Sequence, residues 1–182
     1  ITLVTLMNKI KQNKITFTFI LTAIVIIFSS LTILSLPVLF DYKSKVTIIE
    51  KNFYKNFKIY VKSSGEIKYK PFPKPHLLVE NSKINLSKTY ENDGLLNIKN
   101  LKIYISLKDI YLRTLKNFSA TEISDSNIEL EFSDIKKFRE HLYKKVNNPI
   151  IINNSKLFLR NNNKEVILIS QIKKFTNKIN SK

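Results

Sequence analysis

Residues 101–108 read LKIYISLK, and this short stretch decides the class of fold. Apolar residues alternate strictly with lysine, tyrosine or serine, and the apolar members are Leu101, Ile103, Ile105 and Leu107. A period of two is that of a β-strand with one face against a core and the other face toward water. The stretch therefore predicts a half-buried strand in an antiparallel sheet.

The chain after this strand repeats the alternation and then changes to helical spacing. Residues 118–132 end in an alternating run whose apolar members are Ile128, Leu130 and Phe132. Residues 134–146 carry apolar side chains at steps of three and four after a serine suited to an N-cap, which predicts an amphipathic helix. Residues 150–168 then predict three short strands, separated by asparagine turns at 153–154 and 161–163.

The chain before this strand also alternates, on both sides of Gly65, over residues 58–63 and 67–69. The prolines of PFPKP at 71–75 lack amide protons, so this segment is predicted to be a connector or an edge. Residues 41–57 repeat apolar side chains at helical spacing and predict a second amphipathic helix, packed on the domain or lying in the lipid interface. The expected fold is α+β: a transmembrane helix followed by a mainly antiparallel, curved sheet with one or two amphipathic helices.

The N-terminal region contains the strongest single signal in the chain. Residues 15–40 form a run of 26 residues without a charged side chain, or ~39 Å of helix against a hydrocarbon core of about 30 Å. A cleaved signal peptide is the alternative, but its apolar core is shorter and ends in small residues, whereas Ala23 lies in mid-span. Lysines precede the run, so we expect a cytoplasmic N-terminus, although the lysines on the two flanks nearly balance.

These features predict a linear organisation of the chain. A cytoplasmic N-terminus (1–14) precedes the transmembrane helix (15–40) and a juxtamembrane amphipathic helix (41–57). A β-rich domain (58–172) follows on the outer side of the membrane. Residues 173–182 are predicted to be a polar tail or the point at which a longer chain is cut.

Composition argues against several classes of function. The net charge is +17, yet almost all of it is lysine, while arginine is the residue that reads phosphates and bases with two hydrogen bonds. Nucleic acid is therefore not an expected partner. The chain has no cysteine and two glycines, and His76, predicted at the surface, is far in sequence from His141. We accordingly expect no enzyme activity, no metal and no small-molecule cofactor.

Several segments together resemble the N-terminal region of AsmA-like proteins. They are Gly65–Ile67, the run PFPKPHLLVENSKI at 71–84, the strand at 101–107 with DIYL at 109–112, SNIEL at 126–130 and IIINNSKL at 150–157. The resemblance covers nearly all of the chain after Lys9. Ser155 departs from it, because a glycine is usual at that position, and the family's chains usually run to several hundred residues.

The resemblance implies an inner-membrane protein of Gram-negative bacteria that faces the periplasm and serves outer-membrane biogenesis. A sheet with one apolar face, curled into a trough, would carry phospholipid acyl chains between membranes, and other proteins of the envelope would be its partners. The residues expected to line the trough are Leu101, Ile103, Ile105, Leu107, Ile128, Leu130 and Phe132. The alternative is that the same residues form a closed core covered by the helix at 134–146.

Two other functions stay open on the sequence. A single-span component of lipopolysaccharide export would have a similar length and an anchor followed by a β-domain. A non-enzymatic membrane adaptor would bind a protein partner along an exposed edge of its sheet. Both share the predicted anchor and differ in what the β-rich domain contacts.

Overall fold

The computed structural model describes residues 3–85, 96–144 and 148–177. Helix α1 (Leu3–Ser35) is followed by a 3-10 turn at Leu36–Leu39. Within the described ranges one helical segment, Lys14–Leu39, is long and apolar enough to cross a membrane, with 26 residues and a mean hydropathy of 2.5. Its bounds lie within one residue of the predicted span at each end.

Hydroxyl groups in α1 hydrogen-bond to the helix itself. Thr18, Thr22 and Thr32 donate to the carbonyl oxygens four residues earlier at 2.9, 2.8 and 2.9 Å. A hydroxyl group that is satisfied in this way does not oppose insertion into hydrocarbon. These threonines are therefore compatible with a membrane-spanning helix.

The remainder of the described chain forms an open mixed sheet. Its strands are β1 (Tyr60–Ser63), β2 (Ile67–Lys70), β3 (His76–Asn85), β4 (Leu96–Ile105), β5 (Phe118–Ser124), β6 (Asn127–Glu131), β7 (Ile150–Arg160) and β8 (Val166–Thr176). Strands β1 and β2 both pair with β3, which is followed by β4, β5, β7 and β8 across the sheet, and β6 also pairs with β7. Pairing is antiparallel except that β5 and β6 run parallel to β7. The fold is thus α+β with a mostly antiparallel sheet.

At one level of the sheet, the alternation of buried and exposed side chains shifts by one residue in several strands. Asn81 in β3, Asp125 between β5 and β6, and Asn154 in β7 all have left-handed backbones, with φ of 49°, 51° and 44°. Asn154 Nδ2 donates to Asp125 Oδ1 at 2.6 Å. β3 and β4 stay in register across this level, but the alternation of side chains resumes beyond it shifted by one residue. Val79 and Ile84, on either side of Asn81, are accordingly both buried.

Gly65 allows the connection between β1 and β2 to lie against β3. The Ser64 amide donates to the Asn81 carbonyl at 3.1 Å, and the Glu80 amide donates to the Glu66 carbonyl at 3.0 Å. A Cβ atom at Gly65 would overlap the backbone carbonyl oxygen of Glu80. Glycine is therefore required at this position by close approach of two backbones.

Helix α2 (Val46–Phe57) packs on the domain. Its side chains Ile49, Phe53 and Phe57 are 1%, 0% and 0% exposed and belong to the same buried cluster as the strands. Asn52 and Asn56 donate from Nδ2 to the carbonyl oxygens of Leu115 and Lys116, each at 2.8 Å. The apolar stripe of this helix is therefore used in the protein core.

The strand predicted through Lys108 is shorter in the structure. β4 ends at Ile105, and Ser106 then caps a short helix, α3 (Leu107–Tyr111). The Ser106 hydroxyl accepts the Asp109 amide at 3.1 Å and donates to the Asp109 carboxylate at 2.7 Å. The sequence Ser-x-x-Asp at 106–109 is an N-cap signal, and here it outweighs the alternation.

Two further predictions about the C-terminal part are corrected. Residues 153–154 do not turn, because β7 runs without interruption from Ile150 to Arg160 and accommodates Asn154 as a left-handed residue. β8 continues to Thr176, four residues into the predicted polar tail, while 178–182 lie outside the described residues. Helix α4 (Ile135–Lys144) occupies the predicted helix at 134–146, of which 145–146 are likewise outside.

Candidate functional site

Five of the seven residues predicted to line an apolar trough are buried. Leu101 and Ile103 are 0% exposed, and Ile105, Ile128 and Leu130 are 4%, 2% and 5% exposed. They face the same core as α2 and, apart from Leu130, belong to its central cluster. In this structure the five positions are thus sealed core residues and not an open lipid surface.

The other two residues lie outside this closed core. Leu107 is in α3 and packs against the core while staying partly exposed. Phe132 begins the 3-10 turn Phe132–Asp134 ahead of α4, and 63% of it is exposed. Of the predicted set, Phe132 is therefore the residue most accessible to a ligand in solution or in a membrane.

The core face of the sheet becomes uncovered toward β8. Leu130, Leu159 and Leu168 are cross-strand neighbours on three adjacent strands and share that face. Their exposed fractions rise along this row from 5% to 9% to 50%. An apolar surface that begins in the core therefore continues to an open edge.

Strand β8 is apolar and exposed on both faces at its N-terminal end. Val166, Ile167, Leu168 and Ile169 are 42%, 53%, 50% and 62% exposed. β8 pairs with β7 along one edge, and no strand among the described residues pairs with its other edge. Long, exposed apolar edge strands are sites at which another protein chain or an apolar ligand binds. We call Val166–Ile169 the β8 edge.

A signal for the β8 edge was present in the sequence. VILI is a continuous apolar run, whereas a strand with one wet face alternates. Such a run is typical of a strand covered on both faces, yet here both faces are open. The pattern over residues 150–168 predicted an ordinary short strand here and did not indicate this site.

The opposite face of β4 and β5 carries a hydrogen-bonded cluster around Glu122. The Glu122 carboxylate accepts from Lys102 Nζ at 2.8 Å and from the Tyr104 hydroxyl at 2.6 Å. Burial alone would raise the pKa of Glu122, but the hydrogen bonds from Lys102 and Tyr104 outweigh it and leave this pKa below its usual value. Burial, together with the bond to Glu122, raises the pKa of Tyr104 to about 12. At neutral pH Glu122 is ionised and Tyr104 is protonated.

His76 adjoins this cluster and is not the surface residue that was predicted. It is 4% exposed, and its ring centroid lies 5.7 Å from that of Tyr104. Its Nδ1 lies 2.8 Å from the Lys74 carbonyl oxygen. Burial lowers the pKa of His76 below its usual value, so the ring is neutral at pH 7.

A groove of about 720 Å³ opens beside the cluster. One wall is Pro73–Pro75, and Tyr104, Ala120 and Ile151 contribute to its lining. Asp109 also lines it, and its carboxylate is already bonded to Ser106 and Thr114 at 2.7 and 2.8 Å. Within the described ranges no three histidine, aspartate or glutamate side chains are grouped in a way that could hold a metal ion.

The Glu122 cluster predicts a specific dependence of stability on pH. The pKa of Glu122 is depressed in the folded protein from about 4.5, so its stabilisation is complete above that value and is lost as the pH falls through the folded pKa. Glu122→Gln is expected to lower the free energy of unfolding by about 1.5–3 kcal/mol at pH 7 and by much less at pH 3. Urea unfolding of both proteins at the two pH values measures this, and an equal difference at both would contradict it.

The molecule therefore belongs to a recognisable physical class, an α+β domain with an open, mostly antiparallel sheet that follows a helix able to cross a membrane. Comparisons with family models, curated proteins and solved structures found no match for this chain.

Proposed function

We propose that the chain is a membrane-anchored lipid-handling protein of AsmA-like type. In this proposal α1 lies in the inner membrane of a Gram-negative bacterium and the sheet lies in the periplasm, where it serves outer-membrane biogenesis. The placement in the envelope rests on the sequence resemblance. The proposed binding surface lies at the open end of the sheet face whose buried part was predicted to form the trough.

One observation supports this surface above the others: the row Leu130, Leu159 and Leu168 passes from 5% to 50% exposure across three paired strands. An acyl chain lying along this end of the face would remain in contact with side chains that are continuous with the core. Each methylene group removed from water contributes about 0.8 kcal/mol. A chain can thus be held without a polar anchor, which suits a surface that must also release it.

Aromatic and aliphatic side chains from the turn before α4, from α4 and from β8 add to the proposed surface. Phe132 is 63% exposed and immediately precedes α4, whose Phe138 packs on the core. In β8, Ile172 and Phe175 are half-buried against the core. We propose that Phe132 and Leu168 are the contacts that an acyl chain reaches first. The buried positions, such as Ile103, would be reached only if the sheet opened.

Photo-crosslinking tests this placement in the full chain in membranes. A photo-reactive residue at Leu168 is expected to capture phospholipid several-fold more than one at Gln171, which is an exposed position of β8 on the other face of the sheet. Ile103, which is 0% exposed, serves as a buried control. Equal capture at Leu168 and Gln171 would remove lipid binding at this surface.

The β8 edge also favours a second function, that of an adaptor. Its unpaired edge and exposed VILI run suit the addition of a strand from another protein, since main-chain hydrogen bonds supply affinity and apolar side chains supply selectivity. The same photo-reactive residue separates the two functions by its product. A lipid adduct at Leu168 supports lipid handling, and a defined protein adduct supports the adaptor.

A further inference from the structure

The loop that follows α3 presents an exposed combination of apolar, aromatic and cationic side chains. Tyr111 and Leu112 are 37% and 62% exposed. Arg113 is also exposed, and its guanidinium carbon lies 5.0 Å from the centroid of the Phe40 ring. The Tyr111 ring meets Phe40 edge-on at 6.0 Å. We call Tyr111–Arg113 the α3 corner.

Chain connectivity brings this corner close to the point where the chain leaves a membrane. Phe40 directly follows Leu39, the last residue of the segment able to span a bilayer. Because both Tyr111 and Arg113 contact Phe40, the corner lies within a few ångströms of the position of residue 40. Tyrosine rings and arginine side chains are common at this depth, where their apolar parts meet lipid and their polar tips meet water.

The backbone of Arg113 supports a role for its side chain. Its φ is 53°, and Leu115 has a φ of 47°. Left-handed backbones are uncommon for residues other than glycine, asparagine and aspartate and occur preferentially at functional positions. Leu115 fills the core, since it is 2% exposed. The side chain of Arg113 instead lies against the Phe40 ring and stays exposed, so its guanidinium is held beside residue 40.

The charges beside the corner match an anionic surface. A cavity of about 290 Å³ is lined by Arg113 and Lys45 and by the segment that leaves the membrane, including Asp41. The Asp41 carboxylate accepts the amides of Ser44 and Lys43 at 3.3 and 3.0 Å, which lowers its pKa and keeps it ionised, so the lining has two cations against one carboxylate. Among the described residues no carboxylate forms an ion pair with Arg113. Arginine and lysine side chains at a membrane surface pair with the phosphate groups of anionic lipids.

We propose that the α3 corner lies on the membrane surface from which residue 40 emerges, with Leu112 in the acyl layer and Arg113 and Lys45 on the phosphates of anionic phospholipids. The domain would then have a second, electrostatic attachment to the bilayer besides the covalent one. This inference requires α1 to span the bilayer and is independent of lipid binding near β8. It specifies the partner as an anionic lipid surface.

The absence of tryptophan from the chain allows a direct measurement. The Leu112→Trp variant, reconstituted as the full chain into phosphatidylcholine vesicles, is expected to be quenched by phospholipids brominated on the acyl chain. The Tyr54→Trp variant is the matched control, because Tyr54 is 38% exposed and lies in α2, outside both proposed lipid surfaces. Ile26→Trp, within α1, reports whether the helix is inserted.

The expected result is quenching at position 112 that is several-fold above quenching at position 54 and that rises further when phosphatidylglycerol is included. Adding Arg113→Gln should remove the rise with phosphatidylglycerol, whereas Arg139→Gln, an exposed arginine in α4, should not. Strong quenching at 26 with equal, weak quenching at 112 and 54 would overturn the inference and leave the anchor intact. A rise that survives Arg113→Gln would overturn the role of the arginine.

Discussion

Replacing Phe53 by alanine is expected to lower the free energy of unfolding of the domain by about 3–5 kcal/mol, because the change removes a fully enclosed ring and leaves a cavity. Phe53 is 0% exposed, and its ring centroid lies 4.6 Å from that of Phe57. The measurement is urea unfolding of the full chain in detergent micelles. Near-ultraviolet circular dichroism of the eight tyrosines can follow it, since the chain lacks tryptophan.

Phe72→Ala is the matched control for this experiment. The same side chain is removed from the PFPKP segment, where 61% of Phe72 is exposed, so the expected change is within about 0.5 kcal/mol. If Phe53→Ala were as stable as Phe72→Ala, the packing of α2 on the sheet would be wrong. The helix would then be free to lie in the lipid interface, which was the alternative that its sequence allowed.

Leu101→Ala should be similarly damaging, with an expected loss of about 2–5 kcal/mol. Leu101 is 0% exposed and pairs across the sheet with Val79 on β3 and Ile123 on β5, both buried. The same unfolding measurement applies. The result bears directly on function, because a residue that lines an open trough would lose far less stability on truncation than a residue at the centre of a core.

Leu168→Ala is the matched comparison for Leu101→Ala, because both variants truncate a leucine in a β-strand. Leu168 is 50% exposed on the open edge, and its truncation is expected to cost less than about 1 kcal/mol, in line with its partial burial. Equal, small losses for both leucines would show that the stripe at 101–105 is accessible, and the trough would return to its predicted position.

A closed core of this kind restricts how the domain can handle lipid. Acyl chains would have contact with the apolar face only near Leu159, Leu168 and Phe132, at the side of the sheet that ends in β8. A further strand added beside β8 would lengthen that surface, since apolar side chains are already present on both of its faces. Lipid contact and strand addition are thus competing uses of one edge, which is why the chemical identity of the Leu168 adduct is informative.

Local sequence left two features of the sheet undetermined. Asparagine tolerates a left-handed backbone, so it occurs both in turns and within strands. Asn153 and Asn154 lie within a continuous β7, because β8 pairs with β7 on both sides of Asn154. The parallel pairing of β5 and β6 with β7 was likewise not predictable, because alternation specifies the faces of a strand but not its neighbours. The Ser106 cap of α3 differs, since Ser-x-x-Asp is a local signal that was available and was not used.

The sequence by itself determined the apolar helix, the positions of most strands and the face that each strand turns to the core. These properties depend on the hydrophobicity and spacing of residues close together in the chain, so the amino-acid sequence is sufficient to predict them. Only the tertiary structure decided which parts of the apolar face are covered. Ile103 and Leu168 both lie in apolar strand segments, yet they are 0% and 50% exposed. The difference arises because burial depends on the distant segments that pack above a strand, here α2 over the centre of the sheet and no described strand beyond β8.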